Sequence, residues 1–147
     1  MKITIIAVGK KHDTNFSGAI AEYQKRLSAH CDFAWQLVPS ADKTKESVAI
    51  LRLIADLDVV VLLDERGKLW DNKQLAYYLE EAQNRSVKKL VFIIGGAYGV
   101  DNTIINRANA IMALSPLVFP HQIVRLLAVE QLYRTFSIIS GGKYHHK

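Results

Sequence analysis

The chain has 147 residues, of which 50% are hydrophobic and 22% charged, a size and composition that predict one folded domain over residues 1–147. The single cysteine, Cys31, excludes an internal disulfide and a thiolate metal cluster, and the formal net charge of +5 permits nucleic-acid binding without requiring it. No apolar run reaches the roughly 20 residues of a membrane span, and no cleavable leader follows Met1. We therefore expect a cytoplasmic protein that binds neither a membrane nor a metal.

The first third of the chain predicts two strands and two helices. An almost wholly apolar run over residues 3–8 is typical of a strand buried on both faces. One face of a helix, with Asp13 or Asn15 as its cap, is then marked by Phe16, Ile20, Tyr23 and Leu27. Alternation of apolar residues from Cys31 to Leu37 predicts a second strand, which ends at Pro39. After a polar connection, a second helix is predicted by the spacing of Val48, Leu51, Ile54 and Leu57.

The middle of the chain continues the alternation. Residues 59–63 predict a third strand, which we expect to stop at a charged turn over 64–68. Asp71 or Asn72 can cap a third helix, whose apolar face is Leu75, Tyr78, Leu79 and Ala82. A fourth strand over 90–94 leads into the glycine-rich loop 95–99. A short fourth helix, capped by Asp101, and a fifth strand over 111–114 follow.

This regular alternation predicts an α/β fold with a largely parallel sheet flanked by helices. In open sheets of this type, ligands bind beyond the carboxyl ends of the strands. Three predicted strands, ending at Leu63, Ile94 and Leu114, lead into loops of distinctive composition. If these strands are neighbours, their loops form one pocket.

The segment from Ser115 to Arg134 combines an irregular loop with a long helix. Pro116 and Pro120 bracket an apolar run, and Pro120 suits the first turn of the helix that follows. That helix is apolar on most sides, which indicates burial against more than one surface. Glu130 and Arg134, four residues apart with the acid first, predict an ion pair at its solvated edge. His121 and Arg125 either solvate the helix or hold an anion near its positive end, and both alternatives stay open.

Each candidate loop has a structural and a functional interpretation. The glycine loop is either a tight turn or a place where a ligand approaches the backbone closely, and it lacks the dinucleotide and phosphate-loop fingerprints. Asp64 is either part of a solvated turn or a partner for a ribose hydroxyl. The apolar loop 114–119 is a buried crossover, a platform for a flat ring such as adenine, or both. The tail 141–147 either frays or folds over a pocket or onto RNA.

Several different short motifs lie along the chain, from its first residues to its last. They are Met1-Lys2-Ile3, Ala7-Val8-Gly9-Lys10, Leu63-Asp64, Gly67-Lys68, Ile94-Gly95-Gly96, Gly99, Phe119-Pro120-His121-Gln122, Arg125, Glu130-Gln131-Leu132-Tyr133-Arg134 and Tyr144-His145. Together they resemble the bacterial large-subunit (23S) rRNA pseudouridine N3-methyltransferases of the SPOUT superfamily. The resemblance implies a homodimer with a trefoil-knot α/β fold, S-adenosylmethionine bound in the knot, and the 23S rRNA of the assembled ribosome as partner.

The resemblance also implies the site residues. The cofactor would be held by Leu63, Gly95, Leu114, Ser115, Pro116, Leu117, Val118 and Phe119. Tyr144 and His145 would act on the N3 proton, and His121 or Arg125 would polarise the base or hold phosphate, although stacking on RNA is an equally open role for the tail. The connection from Pro39 to Asp58 is shorter than is typical of this family, which bears on the RNA-contacting edge.

Two rival interpretations remain at this stage. A non-catalytic RNA-binding module would use the same basic surface without S-adenosylmethionine. A nucleotide-dependent α/β enzyme, such as a dehydrogenase, is disfavoured by the missing fingerprint.

Overall fold

The computed structural model describes residues 1–146, so Lys147, the last residue of the predicted tail, lies outside the described residues. Strands and helices alternate along the chain. The strands are β1 (Lys2–Val8), β2 (Asp32–Val38), β3 (Val59–Leu69), β4 (Lys89–Ile94) and β5 (Ala110–Ala113). The helices are α1 (Ser17–Leu27), α2 (Lys43–Leu51), α3 (Asn72–Asn84), α4 (Asn102–Arg107) and α5 (His121–Ile139).

The strands form one sheet in the order β2-β1-β4-β3-β5. Every neighbouring pair is parallel, which confirms the predicted α/β class. The three strands that lead into the distinctive loops, β4, β3 and β5, are consecutive in the sheet, so their carboxyl ends lie side by side. The knot and the homodimer stay predictions.

Helices cover both faces of the sheet, and the buried parts of its central strands are almost wholly apolar. In β1, Ile3 and Ile5 face a core shared with α1, α3 and α5, whereas Ile6 and Val8 face a core shared with α2 and α4. Side chains of a strand alternate between its two faces, so a strand between two helical layers must be apolar throughout. This explains the continuous apolar runs of β1 and β4.

The predicted second helix was placed wrongly. It starts at Lys43, where the side chain of Asp42 accepts a hydrogen bond from the Lys45 amide at 2.8 Å, and it ends at Leu51. Ile54 and Leu57 therefore lie beyond the helix, and Leu57 is 93% exposed. Apolar residues at helical spacing continue beyond Leu51, so the sequence predicted a longer helix. The chain instead forms a turn after α2, in which the Asp58 carboxylate accepts a hydrogen bond from the Ala55 amide at 2.8 Å.

The expected stop of the third strand at Leu63 was also wrong. β3 continues through the charged residues to Leu69 and pairs with β5 a second time, after a register shift between Leu63 and Lys68. Gly67 makes this possible, because a Cβ there would lie 2.6 Å from the backbone of Ile111. A charged run beside a glycine is typical of a turn, and only the pairing with β5 shows that it is an irregular strand.

The structure confirms the caps predicted for α3 and α4 but not the one predicted for α1. Asp71 forms a capping box with Gln74, with both hydrogen bonds at 2.8 Å, and Asp101 accepts from the Thr103 amide at 3.0 Å, as expected. The start of α1 has no side-chain cap, and Asp13 instead accepts from the Asn15 amide in the preceding turn.

Candidate functional site

The carboxyl ends of β3 and β4 and the start of α5 enclose a cavity of about 750 Å³. Its walls come from three segments: residues 62–66, residues 94–100 and residues 118–121. Lys43 of α2 and Val124 of α5 complete the lining. The predicted convergence of the strand-end loops is thereby confirmed, because strand order places those ends at one edge of the sheet.

A smaller cavity of about 60 Å³ adjoins the first, and the two share six lining residues: Leu63, Asp64, Glu65, Val118, Phe119 and Val124. Its other walls are Leu114, Ser115 and Leu117. Seven of the eight residues predicted for the cofactor line one cavity or the other, and the exception is Pro116. The structure thus brings the predicted cofactor residues together, whatever they bind.

The glycine loop leaves room for a ligand because three of its five residues are glycine. The Gly99 amide donates to the Gly96 carbonyl at 3.0 Å, and Gly99 has a φ of +77°, in the left-handed region that glycine adopts readily. A Cβ on Gly95 would lie 3.1 Å from Val100 Cγ1, and one on Gly96 would lie 2.8 Å from Glu46 Oε1. Larger residues would therefore distort the loop that walls the cavity.

The apolar loop keeps its backbone accessible. Leu117 and Val118 are 71% and 72% exposed, and the Leu117 amide donates a local hydrogen bond to the Ser115 hydroxyl oxygen at 3.0 Å. An exposed apolar loop of this kind next to a cavity is available either to a ligand or to another protein surface.

Asp64 lies in the cavity wall with a strong local partner. Its carboxylate accepts from Arg66 Nε at 2.9 Å and from Arg66 Nη2 at 2.8 Å. These hydrogen bonds from Arg66 outweigh burial and lower the pKa of Asp64, so the carboxylate is ionised at neutral pH. It retains acceptor capacity for a hydroxyl donor in the cavity.

His121 lines the large cavity from the first turn of α5. Burial lowers the pKa of His121, and the Arg125 charge lowers it further, whereas Glu46 raises it. An imidazole that is neutral near pH 7 can accept a proton from a substrate.

Arg125 is fully buried behind the cavity and does not line it. Its Nη2 donates to the carbonyls of Val8 at 2.7 Å and Gly9 at 2.9 Å, and its Nη1 donates to the Lys11 carbonyl at 3.0 Å. Arg125 therefore joins α5 to the loop after β1. This placement gives it a positioning task, in contrast to the anion contact considered from the sequence.

The tail residues Tyr144 and His145 are not brought to the cavity within one chain. The Tyr144 hydroxyl lies 3.1 Å from the Tyr23 hydroxyl and 3.2 Å from Glu130 Oε1, and His145 Nδ1 lies 3.2 Å from Arg134 Nη1. Glu130, which contacts the tail, is nine positions after His121 on α5. At about 1.5 Å per residue, the tail contact and the cavity are therefore roughly 14 Å apart along the helix.

The tail also corrects the prediction for Glu130 and Arg134. They form the predicted ion pair at 2.6 Å, but the side chains of Glu130 and Arg134 are only 13% and 24% exposed. Tyr144 packs over the pair, with its ring centre 4.8 Å from the Arg134 guanidinium. Burial and the hydrogen bond with Tyr23 raise the pKa of Tyr144, so its phenol stays protonated in this position. Helical spacing found the pair but could not show what covers it.

Sequence patterns missed two residues of the site, Lys43 and Glu46. Lys43 lines the cavity, and the Glu46 carboxylate lies directly behind Gly96. Both belong to α2, and the polar connection predicted for residues 40–45 concealed the start of that helix. The remaining polar residues of α2 look like an ordinary solvated face in the sequence.

Within residues 1–146, no group of His, Cys, Asp and Glu side chains has the arrangement of a metal site. None of the helices in the same range combines the length and apolar character that a membrane crossing requires.

Fold and site together define a parallel α/β protein with a ligand-sized cavity at the carboxyl ends of neighbouring strands. The chain belongs to the SPOUT methyltransferase family, because the family model described as "Predicted SPOUT methyltransferase" matches residues 1–145.

Full-length relatives agree with this family membership. A ribosomal RNA large subunit methyltransferase H from Cytophaga hutchinsonii is 37% identical, with 99% of this chain and 100% of the relative covered. The protein of the same name from Flavobacterium johnsoniae is 38% identical, with both chains covered completely. A solved structure described as a "Probable Methyltransferase" from Bordetella pertussis Tohama I has the same fold, with a TM-score of 0.56 at 15% identity over 91% of this chain and 95% of that one.

Proposed function

We propose that this protein methylates N3 of a pseudouridine in the 23S rRNA of the assembled ribosome, with S-adenosylmethionine as the methyl donor. The observation that carries the proposal is the full-length similarity to relatives named ribosomal RNA large subunit methyltransferase H. The net charge of +5 is consistent with an RNA substrate. A ribosomal substrate would place the protein in the cytoplasm.

The cavity suits S-adenosylmethionine in size and chemistry. Its volume of about 750 Å³ lies within the usual range for small-molecule sites. The glycine loop presents backbone to the cavity, because Gly95 and Gly96 pack too closely on Val100 and Glu46 for larger residues, and the loop 114–119 offers backbone groups beside apolar side chains for an adenine ring. Asp64 would accept from a ribose hydroxyl. When bound, the cofactor supplies a methyl group on a positively charged sulfur.

Methyl transfer to N3 requires that the N3 proton leave the base. We propose His121 as the acceptor of this proton; its position in the cavity wall and its lowered pKa, which favours the neutral imidazole, support this role. With that proton removed, the N3 lone pair would be free to bond to the methyl group that a bound cofactor would supply, and the sulfur would keep the electron pair of the bond that breaks. Arg125, bound to three backbone carbonyls, would keep α5 and therefore His121 in place.

A homodimer would explain why the predicted tail residues lie far from the cavity of their own chain. In the dimer that we propose, Tyr144 and His145 of one copy reach the cavity of the other. Two observations support a second copy: Leu117 and Val118 are exposed beside the cavity, and one side of α5 leaves apolar residues only half-buried. Those residues are Ile123, Val124, Leu126 and Leu127.

The test is methyl transfer from labelled S-adenosylmethionine to ribosomes that lack the modification, with isolated large subunits and free rRNA alongside. We expect label on a large-subunit pseudouridine only with assembled ribosomes. A Gly95→Val variant should lose transfer and cofactor binding, whereas a Gly18→Ala variant, whose added Cβ meets nothing within 4 Å, should retain both. Cofactor binding without transfer to any of the three substrates would contradict the proposed RNA, and a folded protein that binds no cofactor would contradict the activity.

A further inference from the structure

The buried carboxylate of Glu46 has a hydrogen-bond partner at only one of its two oxygens within the described residues. The residue is 5% exposed, and its Oε2 accepts a hydrogen bond from the Ala41 amide at 2.9 Å. Its Oε1 is inaccessible and has no hydrogen-bond partner among the residues that the structure describes. An unpaired buried carboxylate oxygen is costly for folding, which indicates that it serves another purpose.

The unpaired oxygen lies against the glycine loop. A Cβ added to Gly96 would lie 2.8 Å from Glu46 Oε1 and 3.2 Å from Val8 Cγ1, so the carboxylate packs directly on the far side of a residue that lines the cavity. The next residue, Ser47, accepts a hydrogen bond from the Asp101 amide through its hydroxyl at 3.3 Å. Consecutive residues of α2 therefore contact the loop near its start and at its end.

Glu46 and His121 both lie beside the glycine loop, because Gly96, behind which Glu46 packs, lines the same cavity as His121. The ionisable groups that share the cavity with His121 are Lys43 of α2, Asp64, Glu65 and Arg66 of β3, and Tyr98 of the glycine loop. Arg125 lies behind His121 on α5. Arg125 opposes a positive charge on His121, whereas the Glu46 carboxylate on the other side of Gly96 favours it.

We propose that Glu46 is a positioning residue of the methyl-transfer site, which holds the glycine loop through Gly96 and supplies the negative charge that stabilises a protonated His121. The inference rests on the proposed function, because it assigns Glu46 to the same site. When the N3 proton passes to His121, the imidazolium forms near the Arg125 guanidinium. The Glu46 carboxylate offsets that repulsion without touching the substrate.

Three variants separate charge from packing. Glu46→Gln keeps the shape and an acceptor for the Ala41 amide but removes the charge. Glu46→Asp keeps the charge one methylene farther from Gly96. Glu80→Gln, on the exposed face of α3, is the matched control for the same change in net charge.

The first readout is the titration of His121 by NMR in the protein without RNA or cofactor. We expect the pKa of His121 to fall in Glu46→Gln, to be largely restored in Glu46→Asp and to be unchanged in Glu80→Gln. The thermal stability of Glu46→Gln should equal or exceed that of the parent, because an unpaired buried charge has been removed. A merely structural role predicts the opposite, a loss of stability with an unchanged His121 titration, and that result would overturn the inference.

The second readout is the pH dependence of methyl transfer. We expect kcat of Glu46→Gln to fall about tenfold on the plateau, as is reasonable for a weakened general base, with little change in KM for the cofactor. The acid limb of the profile should move to lower pH together with the His121 titration. A fall confined to KM would assign Glu46 to cofactor binding and overturn its proposed role.

The NMR titration needs neither RNA nor cofactor, so it distinguishes the two proposals. If the parent protein methylates no RNA but His121 still responds to Glu46→Gln, the proposed function fails and the coupling stands. If Glu46→Gln does not fold, Glu46→Met, which replaces the charge by an apolar chain of similar length, carries the same prediction for His121. An unchanged His121 titration in a folded Glu46→Met variant would overturn the inference.

Discussion

At the scale of single residues, the site depends on charges that the fold has buried. Arg125 is completely buried, and its three carbonyl partners belong to residues 8–11 at the end of β1 and in the following loop. Burial lowers the pKa of Arg125, but arginine stays charged at any ordinary pH. The residue therefore acts as a fixed cation that joins α5 to the end of β1 and the loop that follows it.

Replacing Arg125 by methionine should destabilise the protein by roughly 3 kcal/mol or more, because several carbonyls would lose a charged donor. Denaturant unfolding monitored by circular dichroism would measure the change. Arg52→Met, at an exposed position after α2, should shift stability by less than about 0.5 kcal/mol. Equal effects of the two substitutions would show that the carbonyl contacts of Arg125 contribute nothing to folding.

Gly96→Ala tests the contact between the glycine loop and α2. Its Cβ would overlap Glu46 Oε1 at 2.8 Å, so we expect the loop to shift and stability to fall by about 1–3 kcal/mol. Calorimetry should show weakened binding of S-adenosylmethionine. Gly18→Ala, in the first turn of α1, should leave binding unchanged and stability equal or slightly higher. Unimpaired cofactor binding by Gly96→Ala would mean that the loop is not part of the cofactor site.

At the scale of elements, the second half of β3 controls the loop that leads into α5. β5 has only four residues and pairs with β3 on both sides of the register shift. Because β5 lies at the edge of the sheet, its position depends on this single neighbour. The irregular strand thus fixes where the loop 114–119 begins.

Gly67→Ala should separate the end of β3 from β5, since the new Cβ would lie 2.6 Å from the Ile111 carbonyl group. Hydrogen exchange should show faster exchange of the β5 amides, with β1 and β4 less affected. Cofactor binding should weaken as the loop 114–119 loses its anchor. Unchanged protection of β5 would show that the sheet adapts to a side chain at this position.

At the scale of the whole molecule, the separation between the cavity and the tail is the feature that a dimer would resolve. His121 lies in the first turn of α5, whereas Tyr144 of the tail is held farther along that helix, by Glu130, and by Tyr23 of its own chain. In a site completed by two copies, one copy would contribute the cavity with His121 and the other would contribute the tail with Tyr144.

Complementation between inactive variants tests this arrangement. His121→Ala and Tyr144→Ala should each abolish methyl transfer as homodimers. Co-expressed, they should regain part of the activity, because a mixed dimer has one cavity with an intact His121 and an intact tail from the other copy. Persistent inactivity of a mixed dimer, isolated through two different affinity tags, would show that each chain completes its own site.

The sequence by itself determined the α/β class, the number of strands and their alternation with helices along the chain, and the loops that line the cavity. These are local properties: continuous apolar runs define buried strands, capping residues start α3 and α4, and glycine or proline marks the loops. Strand ends at Leu63, Ile94 and Leu114 could be proposed as one site because parallel strands share one carboxyl edge.

Only the tertiary structure decided which charges face water. Arg125, Glu46 and the pair of Glu130 with Arg134 look like ordinary solvated side chains in the sequence, yet each is largely buried by segments distant in the chain. The second half of β3 is a further case, because its pairing depends on β5, more than 40 residues later. Burial and sheet pairing depend on contacts between distant segments, which local spacing does not encode.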